Sequence, residues 1–180
     1  MTGDDLPSVA AIDFETANRS PRSAVSLGLV LMVGDAIVER FSTLIRPPTR
    51  RFTFTRIHGL AAHDVADAPD FAAIWPTVAQ HLRRARVLAA HHAAFDQAVL
   101  AACCSAAGLT MPKHRLLCTV ALSRETWGLT PTRLPDVCRY LGIPLHHHDA
   151  AADAEACAHI VRAAWSTETG RRWVRNLARE

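Results

Sequence analysis

The sequence predicts a mixed α/β fold in which a central sheet is flanked by helices. Two observations support this prediction. Within the first 45 residues, three short apolar runs are separated by turn signals, which is typical of an antiparallel meander of three strands. After residue 70, apolar residues recur at helical spacing, and the predicted helices alternate with short strand-like runs suited to parallel pairing.

The meander accounts for three strands, predicted over residues 8–14, 24–33 and 36–45. A Gly-Asp pair at 34–35 is a hairpin signal between the last two strands. A basic, proline-containing loop follows from residue 46.

Helices dominate the rest of the chain, and glycines at 108 and 142 end two of them. We expect one domain over residues 1–180, with its core over about 8–165 and a polar tail over 166–180. The predicted elements are a helix over 71–82, a strand over 87–90, a helix over 96–107, a strand that enters a helix over 116–122, and helices over 134–141, 149–165 and 171–180.

The composition is that of an ordinary soluble domain. The chain has 180 residues, a formal net charge of +3, 49% hydrophobic residues and 21% charged residues, which excludes a disordered tail and a small disulfide-held module. No apolar run approaches the roughly 18–20 residues of a membrane helix. The first five residues lack the order of a signal peptide, so we expect a cytoplasmic protein with no membrane partner.

Three carboxylates stand at the ends of predicted strands. Asp13 and Glu15 are two positions apart, so they project from the same face of an otherwise apolar strand. Asp96 opens a helix just past a later strand, where open α/β sheets place their ligands. Each has a structural interpretation as well: the pair as solvated acids where the strand ends, and Asp96 as a helix cap.

Asp153 is the most informative acid because its helical neighbours are apolar. They are Ala150, Ala156, Cys157 and Ile160, so Asp153 points toward the core. A buried, unpaired carboxylate is costly and needs a cation. A basic side chain is one candidate, and a metal ion shared with other acids is the other.

A single pocket where all four carboxylates meet explains Asp13, Glu15, Asp96 and Asp153 together. Four oxygen donors repel one another unless divalent cations are bound, and Mg²⁺ and Mn²⁺ take such ligands. Two ions about 3.5–4 Å apart stabilise the attacking and leaving oxygens in phosphodiester cleavage. His148 lies about one turn before Asp153, and an imidazole titrates near neutrality, so it can accept a proton from the attacking water.

Other polar residues admit simpler interpretations. His146 and His147 belong to the same histidine run, and we interpret them as a solvated loop. The arginines of the basic loop are either a solvated loop or a surface that holds substrate phosphates. The histidines and cysteines show no tight spacing of the kind that binds zinc.

Three motifs carry a resemblance to a known family. Residues 13–16 are Asp-Phe-Glu-Thr, residues 91–96 are His-His-Ala-Ala-Phe-Asp, and residues 148–153 begin with histidine and end with aspartate. In order and spacing they resemble the motifs of the DnaQ-like (DEDDh) 3′–5′ exonucleases, which include the proofreading epsilon subunit of DNA polymerase III and RNase T. The resemblance covers about residues 8–165. It implies an RNase H-like fold and two-metal hydrolysis that releases nucleoside 5′-monophosphates from a 3′ end.

The resemblance also implies a role for each motif residue. Asp13, Glu15, Asp96 and Asp153 would hold two Mg²⁺ or Mn²⁺ ions, His148 would be the general base, and Glu15 would also help to bind the terminal 3′-hydroxyl. The implied substrate-binding residues are Phe14, Thr16, His58, Gly59, Leu60, His92 and Phe95.

The resemblance says more about two of these regions, the segment 57–60 and His92. The segment 57–60 is similar to the one that lines the terminal-nucleotide pocket. His92 stands where the family usually has asparagine, which bears on substrate positioning and not on the metal ligands.

We therefore expect a magnesium- or manganese-dependent 3′–5′ exonuclease acting on single-stranded ends, with DNA favoured over RNA. Its partners would be DNA or RNA 3′ ends, with a DNA polymerase subunit as a further candidate, although we favour a free-standing enzyme. The alternatives are a non-catalytic nucleic-acid-binding or polymerase-associated module on the same fold, an RNA-trimming exoribonuclease, and a two-metal phosphoesterase for small nucleotides.

Overall fold

A five-stranded sheet forms the centre of the fold in the computed structural model, which describes residues 6–179. The strand order is β3-β2-β1-β4-β5, with β2 antiparallel to β1 and β3, and with β4 parallel to β1 and β5. The strands are β1 Val9–Thr16, β2 Ala24–Val33, β3 Ala36–Leu44, β4 Val87–Ala90 and β5 Arg115–Cys118.

Helices cover both faces of this sheet. Their bounds are α1 Thr55–His58, α2 Phe71–Arg84, α3 Ala93–Ala106, α4 Thr119–Trp127, α5 Leu134–Leu141, α6 Ala150–Trp165 and α7 Glu168–Arg179. The mixed α/β fold and its antiparallel meander are thus confirmed.

Alternation along β1 divides the core into two. Ala10, Ile12 and Phe14 belong to the cluster that includes apolar residues of α2 and α3, whereas Val9 and Ala11 belong to the cluster with α6. Because successive side chains point to opposite faces, the odd-numbered positions that follow also face α6. This alternation directs Asp13 and Glu15 to that side of the sheet.

Helix α6 lies across β1 and β2, and a glycine permits its close approach. A Cβ built on Gly28 of β2 would stand 1.9 Å from the carbonyl oxygen of Ala150, the first residue of α6. Gly28 is also the cross-strand partner of Asp13. The start of α6 is therefore seated directly beside the acidic end of β1.

Several predicted boundaries differ from the observed ones. Strand β1 continues to Thr16 because its pairing with β2 extends past Phe14. A four-residue helix, α1, occupies part of the predicted basic loop. Helix α3 begins at Ala93, three residues before Asp96, so Asp96 lies inside its first turn and does not cap it.

The C-terminal segment is more than the polar tail predicted over 166–180. Most of it is helix α7, whose Val174 is fully buried in the cluster that α6 also joins. The packed core therefore extends beyond residue 165. Over residues 6–179, each helix is either too short or too polar to cross a bilayer.

Candidate active site

Three of the four predicted acids converge at the end of β1. Carboxylate oxygens of Asp13, Glu15 and Asp153 lie within 4.8 Å of one another. The first two come from alternate positions of β1, and Asp153 comes from the first turn of α6. Asp153 is 3% exposed, as its apolar helical neighbours predict.

Asp96 reaches the same region from α3. Its Oδ1 accepts a hydrogen bond of 3.0 Å from the backbone N–H of Phe14, which lies between the two acids of β1. Asp96 is 1% exposed, and its Oδ2 is buried without a hydrogen-bond partner. The second oxygen is thus left available to a cation.

Burial raises the pKa of all four acids, and repulsion from neighbouring carboxylates adds to the shift for Asp13, Glu15 and Asp96. Burial raises the pKa of Asp13 well above its usual value, and the charges of Asp96 and Asp153 add to this effect. Burial, reinforced by the charge of Asp153, raises the pKa of Glu15 to about 7. Burial raises the pKa of Asp96 to about 8, although the bond from Phe14 opposes the shift.

The donor set fits a divalent cation with oxygen ligands. Within residues 6–179, neither arginine nor lysine forms an ion pair with any of the four acids. Asp96 Oδ2 and Asp153 Oδ1 are both buried and unpartnered. Crowded carboxylates with free oxygens are the ligands that Mg²⁺ and Mn²⁺ bind.

His148 stands at the mouth of this cluster in a left-handed backbone conformation, with φ of 69°. Its Nδ1 is 3.9 Å from Glu15 Oε1, and its backbone N–H donates to Asp153 Oδ2 at 3.2 Å. Burial, with the neighbouring charge of His147, lowers the pKa of the His148 imidazole. The ring is 43% exposed, so it can exchange protons with solvent.

His147 is a site residue that the sequence analysis interpreted as solvated loop. Its Nδ1 is hydrogen-bonded to Asp153 Oδ2 at 3.0 Å, and its ring stacks on that of His148 with centroids 3.9 Å apart. Ligand atoms of His147, His148 and Asp153 also lie within 4.8 Å of one another. The histidine run just before the acidic helix was the available signal. His146 is exposed, as predicted.

A cleft of about 490 Å³ opens on one side of the cluster, and we call it the Glu15 cleft. His58 and Leu60 line it together with Glu15 and His148. His58 Nδ1 accepts from the Leu60 N–H at 3.1 Å, so its Nε2 carries the proton and donates to the Thr16 carbonyl at 3.1 Å. These bonds require a neutral imidazole, and burial lowers the pKa of His58 accordingly.

A second cleft, of about 460 Å³, includes Asp13, His92 and Arg133 in its lining. His92 directly precedes α3 with φ of 66°. Asparagine tolerates this left-handed conformation better than most residues, and histidine is also enriched there. His92 thus adopts a backbone conformation that asparagine, the residue the resemblance implies at this position, also tolerates.

His91, next to it, is held by two hydrogen bonds and plays a structural part. Its Nδ1 lies 2.8 Å from Thr119 Oγ1, and its Nε2 lies 2.9 Å from the Thr132 carbonyl. Burial lowers the pKa of His91 to about 4, so the ring is neutral at physiological pH.

The remaining predicted substrate-binding residues divide into two groups. Phe14 and Thr16 are buried at 3% exposure each, and Phe14 packs into the core on the opposite face from the acids. The Phe14 side chain therefore does not reach either cleft, which corrects its predicted contact; only its backbone serves the site. Phe95 is 48% exposed on the first turn of α3, and Gly59 ends α1 with φ of 82°.

Comparison with known proteins places this chain in an exonuclease family. A model of an exonuclease family, RNase_T, matches residues 10–161. A PolC-type DNA polymerase III from Caldanaerobacter subterraneus subsp. tengcongensis is 31% identical over 139 residues, which is 76% of this chain and 10% of the polymerase. The chain spans 10% and 23% of the lengths of the two curated relatives it matches.

Solved structures share the fold, which is RNase H-like as expected. Exonuclease X in complex with 5′-overhanging duplex DNA is 23% identical, with a TM-score of 0.71 over 94% of this chain and 99% of that chain. A 3′-exonuclease that recognises the 3′ end of a histone mRNA stem-loop is 16% identical, with a TM-score of 0.76 over 92% and 84% of the two chains.

Proposed function

The chain belongs to the exonuclease family whose model matches residues 10–161, and from this premise we propose that it is a metal-dependent 3′–5′ exonuclease. It releases nucleoside 5′-monophosphates from the 3′ end of single-stranded nucleic acid, with DNA favoured. The convergence of Asp13, Glu15 and Asp153 on one point, with Asp96 tied to the same strand, carries this proposal.

Two Mg²⁺ or Mn²⁺ ions are the proposed cofactors, held by Asp13, Glu15, Asp96 and Asp153. When bound, such ions supply Lewis-acid stabilisation of the attacking and leaving oxygens. The chain's own contribution is a set of carboxylates already gathered and desolvated before the cations arrive. A binding module has no use for such a cluster, because four carboxylates repel phosphate.

His148 is the proposed general base. It is exposed enough to meet water, and its lowered pKa keeps the ring neutral near pH 7. The proton of the attacking water passes to His148, and Glu15, 3.9 Å away, stabilises the imidazolium that results. Glu15 also accepts a hydrogen bond from the terminal 3′-hydroxyl.

The Glu15 cleft is the proposed site of the terminal nucleotide. Its wall combines the apolar side chain of Leu60 with the neutral imidazole of His58. Because Thr16 anchors His58, the wall has a fixed position relative to Glu15. His92 lines the second cleft together with Asp13, and His92 and Phe95 are the proposed contacts of the preceding nucleotide.

RNA is the second candidate substrate. Likeness to exonuclease X bound to duplex DNA favours DNA, whereas likeness to a 3′-exonuclease that recognises an mRNA stem-loop favours RNA. The match to one segment of a PolC-type polymerase supports a proofreading setting, in which a polymerase subunit is the partner. Single-stranded DNA remains the substrate that we propose.

Digestion of one oligonucleotide sequence as single-stranded DNA, as duplex DNA and as RNA tests these proposals. With Mg²⁺, a 5′-labelled strand should shorten stepwise, and a 3′-labelled strand should release its label as a mononucleotide at once. EDTA should stop both reactions, as should Asp13→Asn and Asp153→Asn. Release of the 5′ label first, or undiminished activity of the two variants, would overturn the proposal.

A further inference from the structure

A basic cleft of about 600 Å³ lies beside the loop that follows β1. Two guanidinium groups, one amide, two hydroxyl groups and one aromatic ring line it, without any carboxylate. We call it the Arg19–Arg51 cleft. Its lining residues are Asn18, Arg19, Thr49, Arg51, Thr53 and Phe54.

The two arginines of this cleft are exposed and have no acidic partner. Among residues 6–179, no carboxylate lies within ion-pair distance of Arg19 or Arg51. Several other arginines of the chain do pair: Arg40 with Glu155, Arg84 with Glu39, and Arg133 with Asp136.

Two acids of the loop before α2, Asp64 and Asp70, are engaged elsewhere. Asp70 caps α2 by accepting from the Ala73 N–H and lies 4.0 Å from Arg46. Asp64 accepts from the Ala61 N–H and contacts His63. Neither lines the Arg19–Arg51 cleft, so its charge is positive.

Hydrogen bonds to backbone groups hold the two sides of the cleft together. The Asn18 side-chain amide donates to the Arg51 carbonyl at 2.7 Å, and the Thr53 N–H donates to the Ala17 carbonyl at 2.7 Å. Ser23 accepts from the Asn18 N–H at 3.2 Å. The two guanidinium groups therefore project from loops that are fixed to each other and to β1.

The cleft is within reach of a strand whose 3′ end occupies the active site. Arg19 follows Glu15 by four residues, so their Cα atoms are at most about 14 Å apart. With a rise of roughly 3.4 Å per nucleotide in a stacked strand, this distance spans about four nucleotides. Phe54 adds a ring on which a base can stack.

We propose that the Arg19–Arg51 cleft binds the phosphodiester backbone of the digested strand, a few nucleotides upstream of its 3′ end. This inference rests on the proposed function and deepens it, because it makes the substrate a polynucleotide with several phosphates. Arginines contact phosphate through planar, two-pronged hydrogen bonds, which fix register without reading sequence.

The test compares an Arg19→Ala/Arg51→Ala variant with a matched Arg83→Ala/Arg86→Ala control. The control arginines are exposed and without a carboxylate partner in the described part of the chain. Arg86 directly precedes β4, whose first residue pairs with Val9, at the opposite end of β1 from Glu15. Both double variants remove two positive charges from the surface.

Two measurements follow. In EDTA, affinity for a fluorescent single-stranded DNA 10-mer should fall about tenfold in the Arg19/Arg51 variant, and the slope of log affinity against log salt should shrink by about 1.4, at roughly 0.7 per phosphate. With Mg²⁺, the ratio of kcat/KM for the 10-mer to that for a dinucleotide should fall about tenfold. The control should change neither quantity.

Three results would overturn the inference: an unchanged 10-mer affinity, an equal loss in the control, or a loss confined to duplex DNA with a recessed 3′ end, which would assign the cleft to the complementary strand. Failure of the proposed function has a different signature, namely absence of hydrolysis in the parent chain while the binding measurement in EDTA still distinguishes the variants.

Discussion

The backbone N–H of Phe14 donates a 3.0 Å hydrogen bond to Oδ1 of Asp96, across 82 positions of sequence. This bond ties the acidic end of β1 to the first turn of α3. It uses one carboxylate oxygen and leaves the other, Oδ2, buried without a partner. The folded state is therefore less stable than it would be if this oxygen of Asp96 had a hydrogen-bond partner.

Asp96→Asn should stabilise the chain when metal is absent. Burial raises the pKa of Asp96 to about 8 in the fold, so the carboxyl binds a proton there between about pH 4 and 8, whereas the unfolded chain does not. The parent's stability therefore falls as pH rises across this window. In EDTA at pH 8, the variant should unfold roughly 5 °C higher or more.

Thermal unfolding from pH 5 to 8, with EDTA and with Mg²⁺, measures this effect. The advantage of the Asp96→Asn variant should shrink toward pH 5, where the parent carboxyl is protonated. Mg²⁺ should stabilise the parent more than the variant, because it binds the charged carboxylates. A variant less stable than the parent at every pH would refute the account.

His148→Ala should lower kcat by about 10²–10⁴-fold, the usual contribution of a general base. Because burial lowers the pKa of His148 below its ordinary 6.5, parent activity at saturating Mg²⁺ should rise with pH through a value under 6.5 and then level off. The variant should lose this rise. Initial rates between pH 5 and 8.5 provide the measurement, with His146→Ala as the matched control; a rise that persists in His148→Ala would exclude the base role.

His147→Ala should weaken metal binding. His147 Nδ1 is hydrogen-bonded to Asp153 Oδ2 and orients that carboxylate, and loss of such a supporting bond typically costs 10–100-fold in metal affinity. The half-saturating Mn²⁺ concentration should rise accordingly, while kcat at saturating metal changes less. Mn²⁺ titrations followed by activity and by the shift in Tm measure both. His147→Asn, which retains a donor, should recover part of the affinity, and equal values for Ala and Asn would contradict the orienting role.

Gly28→Ala should disturb the site from the neighbouring strand, β2. The new Cβ would stand 1.9 Å from the Ala150 carbonyl, so the start of α6 must move. Overpacking of this kind costs about 1–3 kcal/mol, or several degrees in Tm for a chain of this size. Activity should fall further than stability, because Asp153 moves with α6. Gly34→Asn, in an open left-handed turn, is the control; a Gly28→Ala variant with parental Tm and kcat would show that α6 tolerates the displacement.

The spacing of apolar residues and the positions of turn residues were sufficient to predict most elements of the fold. The bounds of β2 and α5 match their predictions, because turn or helix-ending residues flank both segments. Helix α1 was missed because four residues make little more than one helical turn, which is too short for apolar residues to recur at helical spacing. Helix α7 was underestimated because its apolar residues, Trp173, Val174, Leu177 and Ala178, stand among charged neighbours, and only Val174 of these four is fully buried.

The acids were easier to place than their neighbours. Asp153 stood out because a charged residue on an apolar helical face has few explanations. His147 did not, because its hydrogen bond to Asp153 depends on the path of the turn before α6, which includes the left-handed residue His148 and which periodicity does not encode. The Phe14 side chain was assigned to the substrate because motif membership says nothing about which face of a strand a residue occupies.

The acids and the histidines of this site stand on different kinds of structure. Asp13 and Glu15 belong to a paired strand and Asp153 to a long helix, whereas His147 and His148 lie on the turn before that helix. A substitution in the turn therefore acts on the protonation of the imidazoles and on the orientation of Asp153, while the strand and the helix that carry the acids stay as they are.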